Sequence, residues 1–248
     1  MKDRALILAA GRGSRMGAET ALKPKCLTLL DGKQLLEWQI DSLKGAGIKN
    51  ITVVRGYRSE MLKGDFSVID NKRWSETNMV YSLFCVPSFK GNTIISYSDI
   101  VYKKEHVAKL NKSKTDITIT ADKRWEELWR LRFEDPFDDA ETFKSDGERL
   151  LEIGGKTRNV NDIEAQYMGL LKLTENGWDI IYKVFQSLTE KEKDKMDMTS
   201  MLNLLLNKGI NIKVVFVEGG WCESDEYSDV LVYEKELKLN KNWIHDWR

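Results

Sequence analysis

Ala5–Ala10 is an unbroken apolar run that passes directly into Gly11-Arg12-Gly13-Ser14-Arg15-Met16-Gly17. A short continuous apolar segment, Arg4–Ala10 with its leading arginine, suits a strand covered on both faces, as in a parallel sheet. The loop behind it is rich in glycine, which lets a backbone approach a ligand closely and adopt positive φ. Successive free N–H groups in such a loop form a concavity for anions. Arg15 adds a fork of donors matched to phosphate oxygens. Ten residues on, Lys25 follows Pro24 in Leu22-Lys23-Pro24-Lys25-Cys26-Leu27, a cation placed for a second phosphate. Two other phosphate loops do not fit the spelling. No Gly-Lys-Ser or Gly-Lys-Thr continues this loop, and its third glycine, Gly17, comes one residue too late for Gly-x-Gly-x-x-Gly. A glycine loop that merely turns the chain is the plain alternative.

The rest of the first half alternates between strand and helix patterns. Leu35–Gly45 has helical apolar spacing ended by glycine, while Ile48–Val54, Phe66–Asp70 and Gly91–Tyr97 read as strands. Thr77–Val86 reads as a helix capped by Thr77 or Asn78, and Val107–Leu110 as part of another. Alternation of this kind implies a parallel sheet with helices on both faces. In the second half, Asp116–Thr120, Leu128–Phe133, Glu164–Leu173 and Ile210–Val217 read as strands, with a polar stretch between the second and third. Glu175–Leu188, Met198–Lys208 and Glu226–Leu237 read as helices, and Thr189–Asp197 as a solvated charge run. The expectation is one α/β domain over 1–248, a Rossmann-like, mixed and mainly parallel sheet flanked by helices and extended by antiparallel strands. Residues 1–110 form its nucleotide-binding half and 111–248 its acceptor-binding half.

Composition narrows the function. Lys+Arg and Asp+Glu are equal at 39 each, so no charge excess draws the chain to nucleic acid or to an anionic membrane. Hydrophobic residues at 42% are too many for a disordered chain of zero net charge. No run approaches membrane-spanning length, and Ala5–Ala10 is too short for a signal-peptide core. Three widely spaced cysteines, Cys26, Cys85 and Cys222, form neither a disulfide framework nor a zinc ribbon. These features point to a cytoplasmic protein, a monomer or homodimer. With only His106 and His245, histidine acid–base chemistry has little to work with.

The pattern Leu8-Ala9-Ala10-Gly11-x-Gly13-Ser14-Arg15-Met16, followed by Lys23-Pro24-Lys25-x-Leu27, resembles the sugar-phosphate and phosphocholine-type nucleotidyltransferases, of nucleotide-diphospho-sugar transferase fold. Asn71-Lys72-x-Trp74 and Val80-Tyr81-Ser82-Leu83 are similar to the branch that loads phosphocholine, aminoethylphosphonate and related small acceptors, including phosphoglutamine. The resemblance implies that CTP and a phosphorylated acceptor give a CDP-acceptor and pyrophosphate, in decoration of a surface glycan or lipid. A sugar-1-phosphate nucleotidyltransferase using another NTP shares the loop, the lysine and the aspartates.

On that resemblance, Leu8 through Arg15 (with Ala9, Ala10 and Arg12 in the stretch) hold the nucleotide. Arg15 and the amides of Gly11–Ser14 take the β- and γ-phosphates, and Lys25 neutralises charge on the α-phosphate. A triphosphate attacked by a phosphate anion calls for Mg²⁺, which is held by one or two carboxylates. The family's metal aspartates match Asp99, after the Thr93–Tyr97 strand, and Asp225, in Trp221-Cys222-Glu223-Ser224-Asp225. Helix capping is the other role open to both, and Glu223 and Asp229 lie close enough to be confused with the ligand. Tyr57 matches a family Gly-Tyr position, with packing the alternative. Asn78 and Ser82, four apart on one helical face, can address a pyrimidine edge. For the acceptor, alternation in Leu128–Phe133 puts Arg130 and Arg132 on one strand face, suited to a phosphate plus a second anion, and Trp129 on the other. Trp125 and Trp129 are candidates for a cage around a quaternary ammonium, and Glu164 and Gln166, on one strand face, for ammonium ligands.

Overall fold

The computed structural model describes residues 3–248. Its elements in order are β1 (Asp3–Ala9), β2 (Leu29–Leu30), β3 (Lys33–Gln34), α1 (Leu35–Gly45), β4 (Asn50–Arg55), β5 (Ser67–Asp70), α2 (Met79–Phe84), β6 (Asn92–Tyr97) and β7 (Ile100–Tyr102). There follow α3 (Lys104–Lys112), β8 (Ile117–Asp122), α4 (Trp125–Arg132), β9 (Phe143–Asp146), β10 (Arg149–Ile153) and β11 (Gln166–Leu173). The chain closes with α5 (Glu175–Gln186), α6 (Glu190–Lys195), α7 (Met198–Asn207), β12 (Lys213–Val217), β13 (Trp221–Glu223) and α8 (Tyr227–Leu239). Nine strands form one sheet in the order β5-β4-β1-β6-β11-β8-β12-β10-β9. β5, β4, β1 and β6 run parallel. β11 is antiparallel to both β6 and β8, and β12 runs parallel to β8. The expected mixed, mainly parallel sheet is therefore present.

β1 shows why its run is apolar throughout. Ala5, Ile7 and Ala9 enter a core shared with α1, α3, α4 and α8, while Leu6 and Leu8 enter a second core with α2, α5 and α7. A strand with a hydrophobic layer on each face has no polar side to display. Its neighbours β4 and β6 lie on opposite sides, so the connections diverge at its carboxyl end. Open α/β sheets bind ligands in the crevice at such a switch point. The glycine loop leaves β1 there, and Asp99 leaves β6 beside it.

One reading needs correction. Leu128–Phe133 is not a strand but lies within and just after α4. Trp125, Leu128 and Trp129 are buried at spacings of three and four, the period of a helix. The Leu/Arg alternation is incidental to that face. The polar stretch before Glu164, to which the sequence assigned no element, holds the antiparallel pair β9–β10. The charge run 189–197 forms the short α6, with a capping box between Thr189 and Glu192. Among the described residues, no helix is long and apolar enough to cross a membrane.

Candidate active site

The loop after β1 is shaped by two glycines of positive φ, Gly13 and Gly17. Gly13 sits at φ 71°, and a Cβ there would stand 2.6 Å from Lys25 Cβ and 2.7 Å from its Cδ. Glycine at 13 thus supplies both the turn and the space for the lysine. Thr20 Oγ1 donates to the Gly13 carbonyl at 2.9 Å, tying the loop to the short helical segment behind it.

Lys25 is the hub. Its side chain is 8% exposed, and Nζ donates to Asp99 Oδ2 at 2.9 Å and to Asp225 Oδ1 at 2.8 Å. Arg15 Nη2 donates to the same Asp225 oxygen at 2.8 Å, from a side chain 62% exposed. Burial opposes the Lys25 ammonium, but Asp99 and Asp225 more than offset it and raise its pKa. Burial likewise opposes the Asp225 carboxylate, and Lys25, Arg132 and Arg15 hold its pKa below the ordinary range. Glu223 is pushed up to about 8 by burial and by the neighbouring Asp225 charge.

A small ladder brings the carboxylates together. β7, immediately after Asp99, pairs antiparallel with β13, with Ile100 opposite Glu223 and Tyr102 opposite Trp221. The Ser224 N–H continues the ladder by donating to the Asp99 carbonyl at 2.9 Å. Buried Asp122 anchors the entry to β13, accepting from Gly219 N and Trp221 Nε1 at 2.7 Å each. Neither aspartate caps a helix, since α8 is capped through Glu226 and Asp229. Among the described residues, Asp99, Glu223 and Asp225 form the one group of metal-type ligands whose oxygens lie within 4.8 Å of one another. Asp99 Oδ1 is buried without a hydrogen-bond partner. Three carboxylates offering hard oxygens, one uncommitted, are chemically suited to Mg²⁺.

Two cavities meet here. The first is lined by Leu8, Ala10, Gly11, Gly13, Ser14, Arg15, Lys25, Trp74, Thr77, Asn78, Ser82 and Asp99, among others. Ala9, Arg12 and Tyr57 do not line it. Ala9 points into the core, Arg12 is exposed with its guanidinium 5.7 Å from the Tyr57 ring, and Tyr57 packs edge-on against Trp74. Asn78 both lines the cavity and caps α2, its side chain accepting from Met79 N at 2.7 Å. Ser82 Oγ is held by Asn71 Nδ2 at 3.0 Å.

The second cavity shares Arg15 and Tyr97 with the first and is lined further by Trp129, Asp139, Glu141, Thr142, Gln166, Tyr167, Glu223 and Asp225. Its charged lining is one arginine against four acids, the reverse of the basic patch expected from Arg130 and Arg132. Two residues apart on a helix, those arginines diverge by about 200°. Arg130 faces solvent and pairs with Glu126, whereas the Arg132 side chain is fully buried beneath the carboxylates. Glu164 and Gln166 also part company. Glu164 precedes β11 and accepts from Ser145 Oγ at 2.6 Å, while Gln166 is buried in the cavity wall. Of the expected acceptor residues, only Trp129 and Gln166 reach this cavity.

Sequence reasoning missed Asp139 and Glu141 as lining residues, named Glu223 only as a neighbour of the metal ligand, and misplaced Arg132. Glu223 carried a readable signal, since Glu-x-Asp spacing on an extended segment turns both side chains to one side. Arg132 carried one too, seven residues from Trp125 on the buried helical face.

Residues 5–147 match the model of the MobA-like NTP transferase domain. The chain belongs to that family. It is 38% identical over 247 residues to a CTP:phosphoglutamine cytidylyltransferase of Campylobacter jejuni, covering 92% of this chain and 98% of the relative. Among solved structures it resembles the inositol-1-phosphate CTP transferase of T. maritima, with TM-score 0.74, 21% identity and 97% of both chains covered. It also resembles the CTP:phosphocholine cytidylyltransferase of Streptococcus pneumoniae, with TM-score 0.71, 22% identity, and 96% and 100% covered. These structural neighbours share the expected nucleotidyltransferase fold.

Proposed function

We propose that this chain is a Mg²⁺-dependent cytidylyltransferase that transfers CMP from CTP to a small phosphorylated acceptor of the phosphoglutamine, phosphocholine or aminoethylphosphonate class, releasing pyrophosphate. The observation that carries this reading is the position of Lys25. It bridges Asp99 and Asp225 where a glycine-loop cavity meets a second, acid-lined one.

The first cavity takes the nucleotide. Its glycine loop and Arg15 hold the outer phosphates, and Trp74, Asn78 and Ser82 flank the nucleoside. The second cavity takes the acceptor, whose phosphate lies at the Arg15 end. Asp139 and Glu141, the acids of this cavity outside the metal group, suit an acceptor carrying an ammonium group, which all three named acceptor types provide. Lys25 lies between them and offsets charge that builds on the α-phosphate as the acceptor oxygen attacks in line. Phosphoryl-type transfer depends mainly on such positioning and charge stabilisation. A divalent cation held by Asp99, Asp225 and Glu223 would supply further electrostatic stabilisation to phosphate oxygens. The attacking phosphate is already anionic, so no side chain need remove a proton. The free, widely spaced cysteines fit a cytoplasmic location, and the pathway is decoration of a surface glycan or lipid.

Pyrophosphate release tests the reading across CTP, UTP, GTP and dTTP with phosphoglutamine, phosphocholine, 2-aminoethylphosphonate and glucose-1-phosphate. CTP with one of the first three acceptors should dominate. Preference for UTP with glucose-1-phosphate would reject it in favour of sugar-1-phosphate transfer.

A further inference from the structure

The Arg132 guanidinium lies where three carboxylates converge from behind the site. Nη1 donates to Glu223 Oε2 at 3.3 Å, Nη2 to Asp225 Oδ2 at 3.2 Å and Nε to Asp229 Oδ1 at 3.3 Å. Its plane is confined by the rings of Trp129 and Phe133, whose centroids lie 5.1 and 4.8 Å from Cζ. Trp129 is itself fixed, donating from Nε1 to Asp139 Oδ2 at 3.1 Å. Asp229 carries the restraint into the backbone, because its Oδ2 accepts from Asp225 N at 2.7 Å and Glu226 N at 3.0 Å. One group therefore restrains the side chains of Asp225 and Glu223 and, through Asp229, the main chain of Asp225.

We propose that Arg132 is a positioning residue: it holds the rear oxygens of Asp225 and Glu223 so that their remaining oxygens converge with Asp99 on the point where a divalent cation binds. The proposal rests on the cytidylyltransferase reading above. Asp225 Oδ1, the oxygen Arg132 leaves alone, is the one that meets Lys25 and Arg15 at the junction of the cavities. Without a cation behind them, converged acids would repel and swing apart. A lysine cannot replace the fork, since one ammonium on a flexible stem does not fix three carboxylates in a plane.

The test is R132K, with D229N as a second variant that keeps side-chain volume but removes one arm of the restraint. Two quantities are measured well below each variant's unfolding temperature. These are the Mg²⁺ concentration giving half-maximal pyrophosphate release, and the dissociation constant of Mn²⁺ in the complex with an α,β-methylene CTP analogue, read by water-proton relaxation. Groups that orient metal ligands typically change affinity by about 10- to 100-fold. R132K should raise both values by about that factor, with activity recovering at excess Mg²⁺, and D229N should shift them less in the same direction. A merely structural role would lower the active fraction without moving either midpoint. Unchanged midpoints in a folded R132K, or in D229N should R132K not fold, would overturn the positioning role alone. A wild-type protein that forms no Mn²⁺–nucleotide complex and releases no pyrophosphate would overturn the underlying reading as well.

Discussion

Replacing Lys25 with methionine keeps most of the side-chain length but removes the charge that joins Asp99 to Asp225. Nζ makes two short charge-assisted hydrogen bonds, and the side chains of Lys25, Asp99 and Asp225 are 8%, 22% and 7% exposed, so solvent screens them poorly. Removing one partner of a buried ion pair costs about 3–5 kcal/mol where the remaining charge is left uncompensated; Asp225 keeps Arg15 and Arg132, so the lower end, about 3 kcal/mol, applies. For a chain of this size, each kcal/mol moves the unfolding midpoint by about 2–4 °C, giving a fall of about 6–12 °C. The Lys25 pKa is raised, so its contribution is fully present below the ordinary lysine value and lost only in strong base. The Asp225 pKa is lowered, so its share persists at neutral pH and fades only as acid protonates it. Thermal unfolding at pH 7 therefore reads the whole effect. Millimolar Mg²⁺ should stabilise K25M by more degrees than wild type, since the carboxylates no longer have the lysine as counter-charge. Turnover in the pyrophosphate assay should drop about 10²- to 10³-fold, the scale for removing one preorganised transition-state contact. K25M with wild-type turnover and an unfolding midpoint within 2 °C or so of wild type would refute the reasoning.

Other outcomes follow from the same geometry. Gly13→Ala should lower both stability and turnover, because the new methyl meets Lys25 at positive φ. Gly11→Ala has open space around it and should spare stability while raising the KM for CTP. Equal behaviour of the two, by thermal unfolding and kinetics, would count against the loop assignment. With the Glu223 pKa pushed up to about 8, Mg²⁺ binding at pH 7 should release a proton, detectable in buffers of different ionisation enthalpy. Apparent Mg²⁺ affinity should rise with pH and level off above about 8. The same raised pKa means the metal-free fold holds a proton the unfolded chain releases, so stability should fall as pH rises from the ordinary glutamate range toward 8. Glu223→Gln should flatten both trends, and persistence of either would sink the assignment. Asp122→Ala strips buried acceptors from Gly219 N and Trp221 Nε1 and should cost about 3–5 kcal/mol in chemical denaturation. A loss below about 1 kcal/mol would show that β13 is held by other means.

The amino-acid sequence alone determined what local chemistry can specify. An apolar run with no polar side had to be a strand buried on both faces, and its glycines and the Pro24-Lys25 pair marked a loop for anions. Leu35–Gly45 read correctly because its period and terminal glycine are contained within the element. Leu128–Phe133 misled because six residues fit a period of two as well as a helix, and only packing of Trp125, Leu128 and Trp129 against α8 and the core decides between them. The fate of the two arginines followed from that choice. The family motif paired Asp99 with Asp225, but only the tertiary structure supplies what brings them, more than 120 residues apart, into one site and adds Glu223 to them. The β7–β13 ladder does this through backbone hydrogen bonds, which carry no side-chain signature. The charge of the acceptor cavity was equally hidden, because Asp139 and Glu141 come from one segment, Glu223 and Asp225 from another, and the two meet only in the folded chain.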